Sequence, residues 1–486
     1  MNWITEHIRT ICALSDLDEA AARQLFERRI HITIDAPLHA NRTYRLAYEY
    51  AIALITRLFP ASTFEYAPTS QLAILPWGTE PAPPARPAID ARLHFGASIS
   101  KAIIANCHDW MVYIDHPITP NPAEQWNPIL ALATAAYAAS RVAHVVLGDV
   151  IAGAATWRPF SILDFDRATV DFNWDDPLPI GETHLAGVGA IANGLLVALA
   201  SHARAQGTLH LIDYDDFERD QVGRYTFFDV TDDGKSKAVA ARDRLAPLTT
   251  LTAIPHEQRF QQYFDSEYRA NPTFRIERLI TCPDRRDTRR QMQSKLPFEV
   301  LDASTGPDQI VLHTNRFQPD AACAECIYPA IPEEHAHENH VAAMLNIPIE
   351  RLLSDVPITA EDAERIHERY PHLTVASLLG RSFDSVFKQL CSAGELRVAD
   401  QVVLAPLPFT SALAGILLYF ELVKSCRPDV FGAFRTWNYA QIHPGYPPQQ
   451  LLREQRSSHS TCQCQRDHIR RTFRRIWNDK IQQEQR

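Results

Sequence analysis

Four of the 17 glycines in this 486-residue chain fall between positions 181 and 194. Glycine is scarce elsewhere, about half the usual ~7% of a globular protein, so a cluster marks backbone that must do without side chains. It separates a strand-like run at 183–186 from an apolar, helix-length run at 190–205, with another strand-like run at 208–212. Strand, glycine turn, helix, strand is the opening of a doubly wound α/β nucleotide-binding sheet. At its centre Gly187-Val188-Gly189-Ala190-Ile191-Ala192 is a GxGxxA pattern, whose glycines permit a tight turn and bring a phosphate close to the helix N-terminus. Alone, this loop fits NAD as well as ATP, and so does Asp213, which ends the second strand where a carboxylate meets a ribose hydroxyl.

The rest of the chain sets limits. At 46% hydrophobic and 22% charged residues it is ordinary globular protein, long enough for about three structural units. A formal charge of −10 argues against a surface that coats nucleic acid or an anionic membrane. The N-terminus lacks a basic stretch followed by an apolar one, so no signal peptide is expected. The apolar run from Ile129 meets Arg141, His144 and Asp149 before the roughly 20 residues a bilayer requires. The expectation is a cytoplasmic protein with no membrane segment and no nucleic-acid partner. Nine cysteines are too few for a disulfide scaffold.

Four units follow from the pattern. Residues 1–160 read as α/β, with a strand at 30–34, helices at 41–59 and 127–147, and a proline-rich connector at 76–87, but no glycine-rich loop. Residues 161–326 carry the glycine loop. Residues 327–400 are polar and helical, with patterns at 338–345 and 359–370. Residues 401–486 resume the α/β alternation with a strand at 401–404 and an apolar helix at 410–424, then end in a basic amphipathic helix that spaces Ile469, Phe473 and Trp477 four apart.

Downstream of the glycine loop come Asp213-Tyr214-Asp215, then Arg224, then Gly234-Lys235-Ser236-Lys237, then Cys282-Pro283-Asp284 with Arg289. This series resembles the ThiF/MoeB and ubiquitin-activating superfamily, in the manner of its prokaryotic ubiquitin-activating-type members. In that family a strand ending DxD is followed by SNLxR, by GxxK, and by a strand ending in a catalytic Asp with an Arg on the next helix. Here Asp220-Gln221-Val222-Gly223-Arg224 stands where SNLxR belongs, with Gln221 replacing Asn, and 237 − 224 = 13 keeps the Arg-to-Lys spacing. Singly, Arg224 and Lys237 are as well explained by a solvated loop, and Asp284 by a helix N-cap. Their joint spacing, in a chain with seven lysines, favours a site.

The resemblance implies a Rossmann-like, doubly wound adenylation domain and, in residues 1–160, a degenerate adenylation-like α/β domain that supports the active half or forms a homodimer surface. The region 327–400 becomes an inserted helical catalytic-cysteine subdomain. The implied cofactors are ATP and Mg²⁺, held by Gly187, Gly189, Asp213, Asp215, Gln221, Arg224, Lys237 and Asp284. Arg224 and Lys237 supply positive charge and Asp284 holds the metal, which suits a reaction governed by positioning and electrostatics. The implied partners are a ubiquitin-like protein with a C-terminal glycine and a ubiquitin-conjugating-type enzyme, in an antiphage setting. Three other readings compete: a sulfur-carrier adenylyltransferase, an NAD-dependent oxidoreductase and a non-catalytic scaffold.

The cysteines divide by context. Cys323 and Cys326 form a CxxC, and Cys462 and Cys464 a distant CxC; two short pairs suit a structural Zn²⁺ that clips the tail to the preceding domain, with unliganded or redox thiols as the alternative. The family's second pair is often CxxC, so CxC departs from it. Cys391 is the thioester candidate, because the Ala405-Pro406-Leu407 stretch and the helix after it resemble the family's APLxG helix that follows the reactive cysteine. Lys388 or Arg397 would lower its pKa; a small buried hydrophobe is the plainer reading. Cys426 is second choice, while Cys12, Cys107 and Cys282 read as packing residues. His335, His337 and His340 look ligand-like, but their polar surroundings favour a solvated surface. Trp477 with Arg470, Arg471, Arg474 and Arg475 suits either an acidic partner or a helix whose apolar stripe packs on the zinc region.

Overall fold

The structure, a computed structural model, describes residues 3–15, 17–75, 89–148, 153–154, 156–306, 308–317, 320–331, 336–352, 356–383, 386, 390, 397–398, 401–402 and 406–484. The first sheet has strands β1 (Ile30–Ile34), β2 (Thr63–Phe64), β3 (Ala91–Phe95), β4 (Ile103–His108), β5 (Met111–Ile114) and β6 (Phe160–Ser161), in the order β2-β1-β3-β4-β5-β6. Pairings from β2 through β4 are parallel; β5 and β6 join antiparallel.

The second sheet contains β7 (Leu178–Ala186), β8 (Ala205–Ile212), β9 (Thr252–His256), β10 (Arg278–Thr281), β11 (Glu299–Thr305) and β12 (Ile310–Asn315). Its parallel part runs β9-β8-β7-β10-β11, the 3-2-1-4-5 order of a doubly wound Rossmann-like sheet. Of the expected strand at 401–404, the described part, 401–402, does not extend it. Gln401–Val402 (β14) pairs with Arg397–Val398 (β13) in a separate two-stranded ribbon. The edge beyond β12 is taken instead by antiparallel β15 (Tyr439–Ile442) and β16 (Leu452–Glu454), which follow the long apolar helix.

Helices Arg42–Leu58, Pro128–Leu147, Ala190–Ala200 and Pro408–Cys426 join both sheets in one core. Asn41 starts the first by accepting from the Thr43 and Tyr44 amides, and Asn127 starts the second by accepting from Leu130, with Pro128 at its first position. Helices apolar on all sides are buried ones. Pro128–Leu147 and Pro408–Cys426 are long and apolar enough to cross a bilayer, yet both are largely buried in this core. Ala190–Ala200 crosses Pro408–Cys426 at two glycines: a Cβ on Gly194 would lie 2.5 Å from the Ala412 carbonyl oxygen, and one on Gly415 2.1 Å from that of Ile191. The expected helix 190–205 stops at Ala200 because Ala205 already opens β8.

Helices Ala336–Leu345 and Ala360–Arg369 belong to a lobe with its own small core, including Val341, Leu345, Ile366 and Phe383. The lobe reaches the second sheet's loops through Arg381, whose guanidinium lies 3.3 Å from the Glu218 carboxylate. The C-terminal helix Asp467–Glu484 lays Phe473 and Trp477 on Leu296 and Phe298, and the Trp477 indole donates to the Leu296 carbonyl at 2.9 Å. Arg471, Arg474 and Arg475 face outward.

Candidate functional site

The strand order reverses between β7 and β10, and in doubly wound sheets ligands bind at such a switch point, outside the carboxyl ends of the strands. The loop after β7 holds Gly187 and Gly189; the loop after β10 holds Cys282, Pro283 and Asp284. They meet directly. Gly187 has φ +90°, and a Cβ there would sit 2.8 Å from the Cys282 carbonyl oxygen. Gly189 has ordinary backbone angles and caps the helix Ala190–Ala200 without a side-chain acceptor, so the helix N-terminus keeps amides of the kind that hold phosphate. Asp284 is exposed beside this loop.

Two acids and a lysine complete the floor. Asp213 accepts from the Val188 amide at 2.6 Å and from the Asp215 amide at 2.9 Å. Its carboxylate therefore braces the glycine loop, a role distinct from the ribose contact expected of it. Burial, opposed by Lys237 and reinforced by Asp215, raises its pKa. Lys237 is itself buried, opens the helix Lys237–Leu245, and holds its ammonium 3.4 Å from Asp215 and 5.5 Å from the centre of the Tyr225 ring.

Arg224 is already engaged. Its Nε donates to Glu6 Oε2 at 2.8 Å and its Nη2 to Glu6 Oε1 at 2.7 Å. Burial works against the guanidinium charge, but the Glu6 carboxylate prevails and its pKa is raised. Glu6 comes from the first helix, Trp3–Leu14, and no sequence signal pointed to it. Gln221 accepts from the Glu218 amide at 3.4 Å and closes a capping box on the short 3-10 turn Arg219–Gly223. Tyr225, next to Arg224, was also missed; its hydroxyl oxygen lies 3.7 Å from the position of a Cβ on Gly189. Arg289 is buried against Asp302.

Cys323, Cys326, Cys462 and Cys464 converge, all four sulfurs within 4.8 Å of one another. Cys323 lies 3.9 Å from Cys326 and 3.5 Å from Cys462, and Cys326 lies 3.7 Å from Cys464. These are far longer than a disulfide of about 2.05 Å. They match the edge of about 3.8 Å of a sulfur tetrahedron drawn at Zn–S distances of about 2.3 Å, so the donor set fits zinc. The His459 amide donates to Cys326 at 3.2 Å, the kind of outer hydrogen bond that steadies a thiolate ligand.

Other ligand-like groups differ. Glu182, His184 and His210 gather on the second sheet, but the two imidazoles stack at 4.3 Å with planes 6° apart, so their lone pairs lie in separate, parallel planes, a poor arrangement for holding one ion. A cleft of about 640 Å³ between the two sheets' loops, lined by Phe64, Ile74, Phe227 and Arg244 among others, contains none of the glycine-loop residues. Burial pushes the Cys426 thiol up to about 11 despite nearby Arg278 and Arg435, the opposite of an activated nucleophile. Cys391, Lys388 and His335 lie outside the described residues, as do the side chains of His337, His340 and Arg397; Leu390 belongs to the lobe's core.

No family model matches the sequence. An uncharacterized protein, y4jF, of Sinorhizobium fredii is 29% identical over 265 residues, which span 51% of this chain and 50% of that protein. Among solved structures, E. coli MccB with AMPCPP and MccA aligns at 13% identity and a TM-score of 0.36, over 58% of this chain and 66% of that one. E. coli MccB alone gives 13% and 0.35, over 59% and 65%. The chain thus spans about half to two thirds of the proteins it is similar to, and likeness of this strength carries no functional argument; that argument rests on the site.

Proposed function

We propose that this chain is an ATP-dependent adenylating enzyme that acts on the C-terminal carboxylate of a peptide or small protein. A carboxylate oxygen attacks the α-phosphorus, a C(=O)O–P bond forms, and the bond to the β-phosphate breaks as pyrophosphate leaves with the electron pair. The observation that carries the reading is the meeting of Gly187 with the Cys282–Asp284 loop at the switch point, over a floor of Asp213, Asp215 and Lys237. Lys237 stabilises charge on the phosphoryl oxygens, and the amides after Gly189 receive phosphate. Asp284, which is exposed, would hold Mg²⁺, and the metal would neutralise charge on the phosphates.

The finer reading is ubiquitin-activating: the acyl adenylate of a ubiquitin-like protein passes to Cys391 as a thioester, AMP departs, and a conjugating-type enzyme receives the acyl group, in a defence role against phage. What supports it is the lobe that precedes Cys391, docked through Arg381 on Glu218, three residues from Asp215. Zinc at the four cysteines is structural in this reading, and residues 1–160 act as a supporting, degenerate copy of the adenylation domain.

ATP–pyrophosphate exchange dependent on a ubiquitin-like protein ending in glycine tests the reaction. Wild type should catalyse it and Asp284→Ala should abolish it; undiminished exchange in the variant would overturn the assignment. A reducible adduct present in wild type and absent from Cys391→Ala, with exchange retained, checks the thioester step; exchange without any adduct would favour the sulfur-carrier type of chemistry.

A further inference from the structure

Glu6 holds Arg224 in the way a phosphate or carboxylate ligand would. Both donors on one edge of the guanidinium, Nε and Nη2, point to the two oxygens of a single carboxylate, at 2.8 and 2.7 Å, the planar fork with which arginine grips oxyanions. The pair sits at the margin of the nucleotide site, since the next residue, Tyr225, overlies the Gly189 helix N-terminus and faces the Lys237 ammonium. It also borders solvent, with side-chain exposures of 18% for Arg224 and 14% for Glu6. One guanidinium edge accommodates one bidentate oxyanion. A nucleotide phosphate that reached this edge would compete with Glu6 for it.

We propose that Glu6 is an internal pseudo-ligand, an autoinhibitory contact that keeps Arg224 from the nucleotide until a polyphosphate displaces it. The proposal rests on the adenylation reading. Displacement needs a change in the Glu6 side chain only, because Ile8 and Ile11, fully buried, keep the helix docked. A triphosphate carries more charge than a carboxylate and offers the same paired acceptors, so it is the stronger claimant for the fork. The neighbouring His7 does not compete for the carboxylate as a cation: burial lowers its pKa to about 4, so at neutral pH it carries no charge.

The test is ATP-Mg²⁺ affinity, measured by titration calorimetry on the full chain, for wild type, Glu6→Gln, Arg224→Ala and the double variant. Removing the competing carboxylate should tighten ATP by about tenfold in Glu6→Gln, the scale of one charge-assisted bidentate contact. The same substitution in the Arg224→Ala background should change nothing. Equal affinities for wild type and Glu6→Gln would overturn the contact's inhibitory role while leaving the ATP site standing. An equal gain in the Arg224→Ala background would show that Glu6 acts otherwise than through this fork, and would overturn it too. If no variant binds ATP, the adenylation reading fails and the proposal with it. Thermal unfolding of Glu6→Ala and Glu6→Gln, compared with their ATP affinities, separates a loosened helix from a freed arginine: a loss of ATP binding that tracks the loss of stability contradicts the proposal.

Discussion

A buried lysine beside an aspartate has a narrow function, because its amine is fixed and its charge is shared. Lys237 is 3% exposed with Asp215 as its counter-ion. Lys237→Met should lower pyrophosphate exchange by about 100-fold, the scale of one lost electrostatic donor in a transition state, with circular dichroism unchanged. Gly187→Ala fails for a different reason. At φ +90° with Cys282 backbone at 2.8 Å, a methyl strains the loop by about 1–3 kcal/mol, which a lower urea midpoint would register together with weaker nucleotide binding. Both residues were legible in the sequence, since a scarce glycine and a scarce lysine at family spacing stand out. Glu6 was not: it meets Arg224 across 218 positions, and no local pattern in a helix names the partner of one exposed-looking acid. The loop-bracing contacts of Asp213, beyond the ribose role expected of it, were not legible for a similar reason, because which backbone amide a carboxylate receives is settled by packing.

Among the elements, the crossing with Pro408–Cys426 packs the helix Ala190–Ala200, which starts at the glycine loop. Gly415→Val should destabilise the chain by about 3 kcal/mol, at the upper end of ordinary overpacking, visible as a fall in melting temperature; Gly432→Val, where a Cβ meets open space, should not. The four-cysteine cluster predicts one zinc per chain in purified protein and none in Cys464→Ser, by metal analysis; wild type without bound metal would refute the zinc assignment. The long helices and the β7–helix–β8 unit could be read from apolar runs, caps and the glycine turn. The edges could not. β9 contains Pro255 and is only half-buried, and β15 and β16 are short, so little periodicity marked them. The stretch at 401–402 has strand composition, yet pairs locally, since composition does not specify which edge a strand joins.

For the molecule as a whole, acid sensitivity follows from buried imidazoles. Burial lowers the pKa of His7 to about 4 and of His184 to about 3, the latter helped by repulsion from His210 and His256; His202, His210, His256 and His313 are lowered as well, chiefly by burial. Below about pH 6.5 the unfolded chain takes up protons that the folded chain refuses, so the stability these groups contribute is complete above that pH and lost as the pH falls toward 4. His7 alone accounts for about 3 kcal/mol by that linkage. Urea midpoints should be flat from pH 7 to 8 and fall steadily from 6.5 to 4; a midpoint independent of pH in that window would contradict neutral burial of these rings. The two sheets were legible as two α/β units, but their shared helical core was not, because the faces that join them are apolar in the same way as any core.

The cysteine cluster also changes what a break in the chain would mean. Cys323 and Cys462 are 139 positions apart, and Cys326 and Cys464 138 apart, so a metal there closes the helical lobe, the apolar helix and the last strands into one ring. A single protease cut inside that ring would leave both fragments on the same particle, tied at the metal and, for a cut before β15, through β12 and β15 as well. Under native conditions the nicked protein would migrate as intact, and a chelator would remove the metal tie while the packed helix Pro408–Cys426 and the tail helix still hold the fragments together. The tail helix, which opens three residues after Cys464, starts directly from that tie.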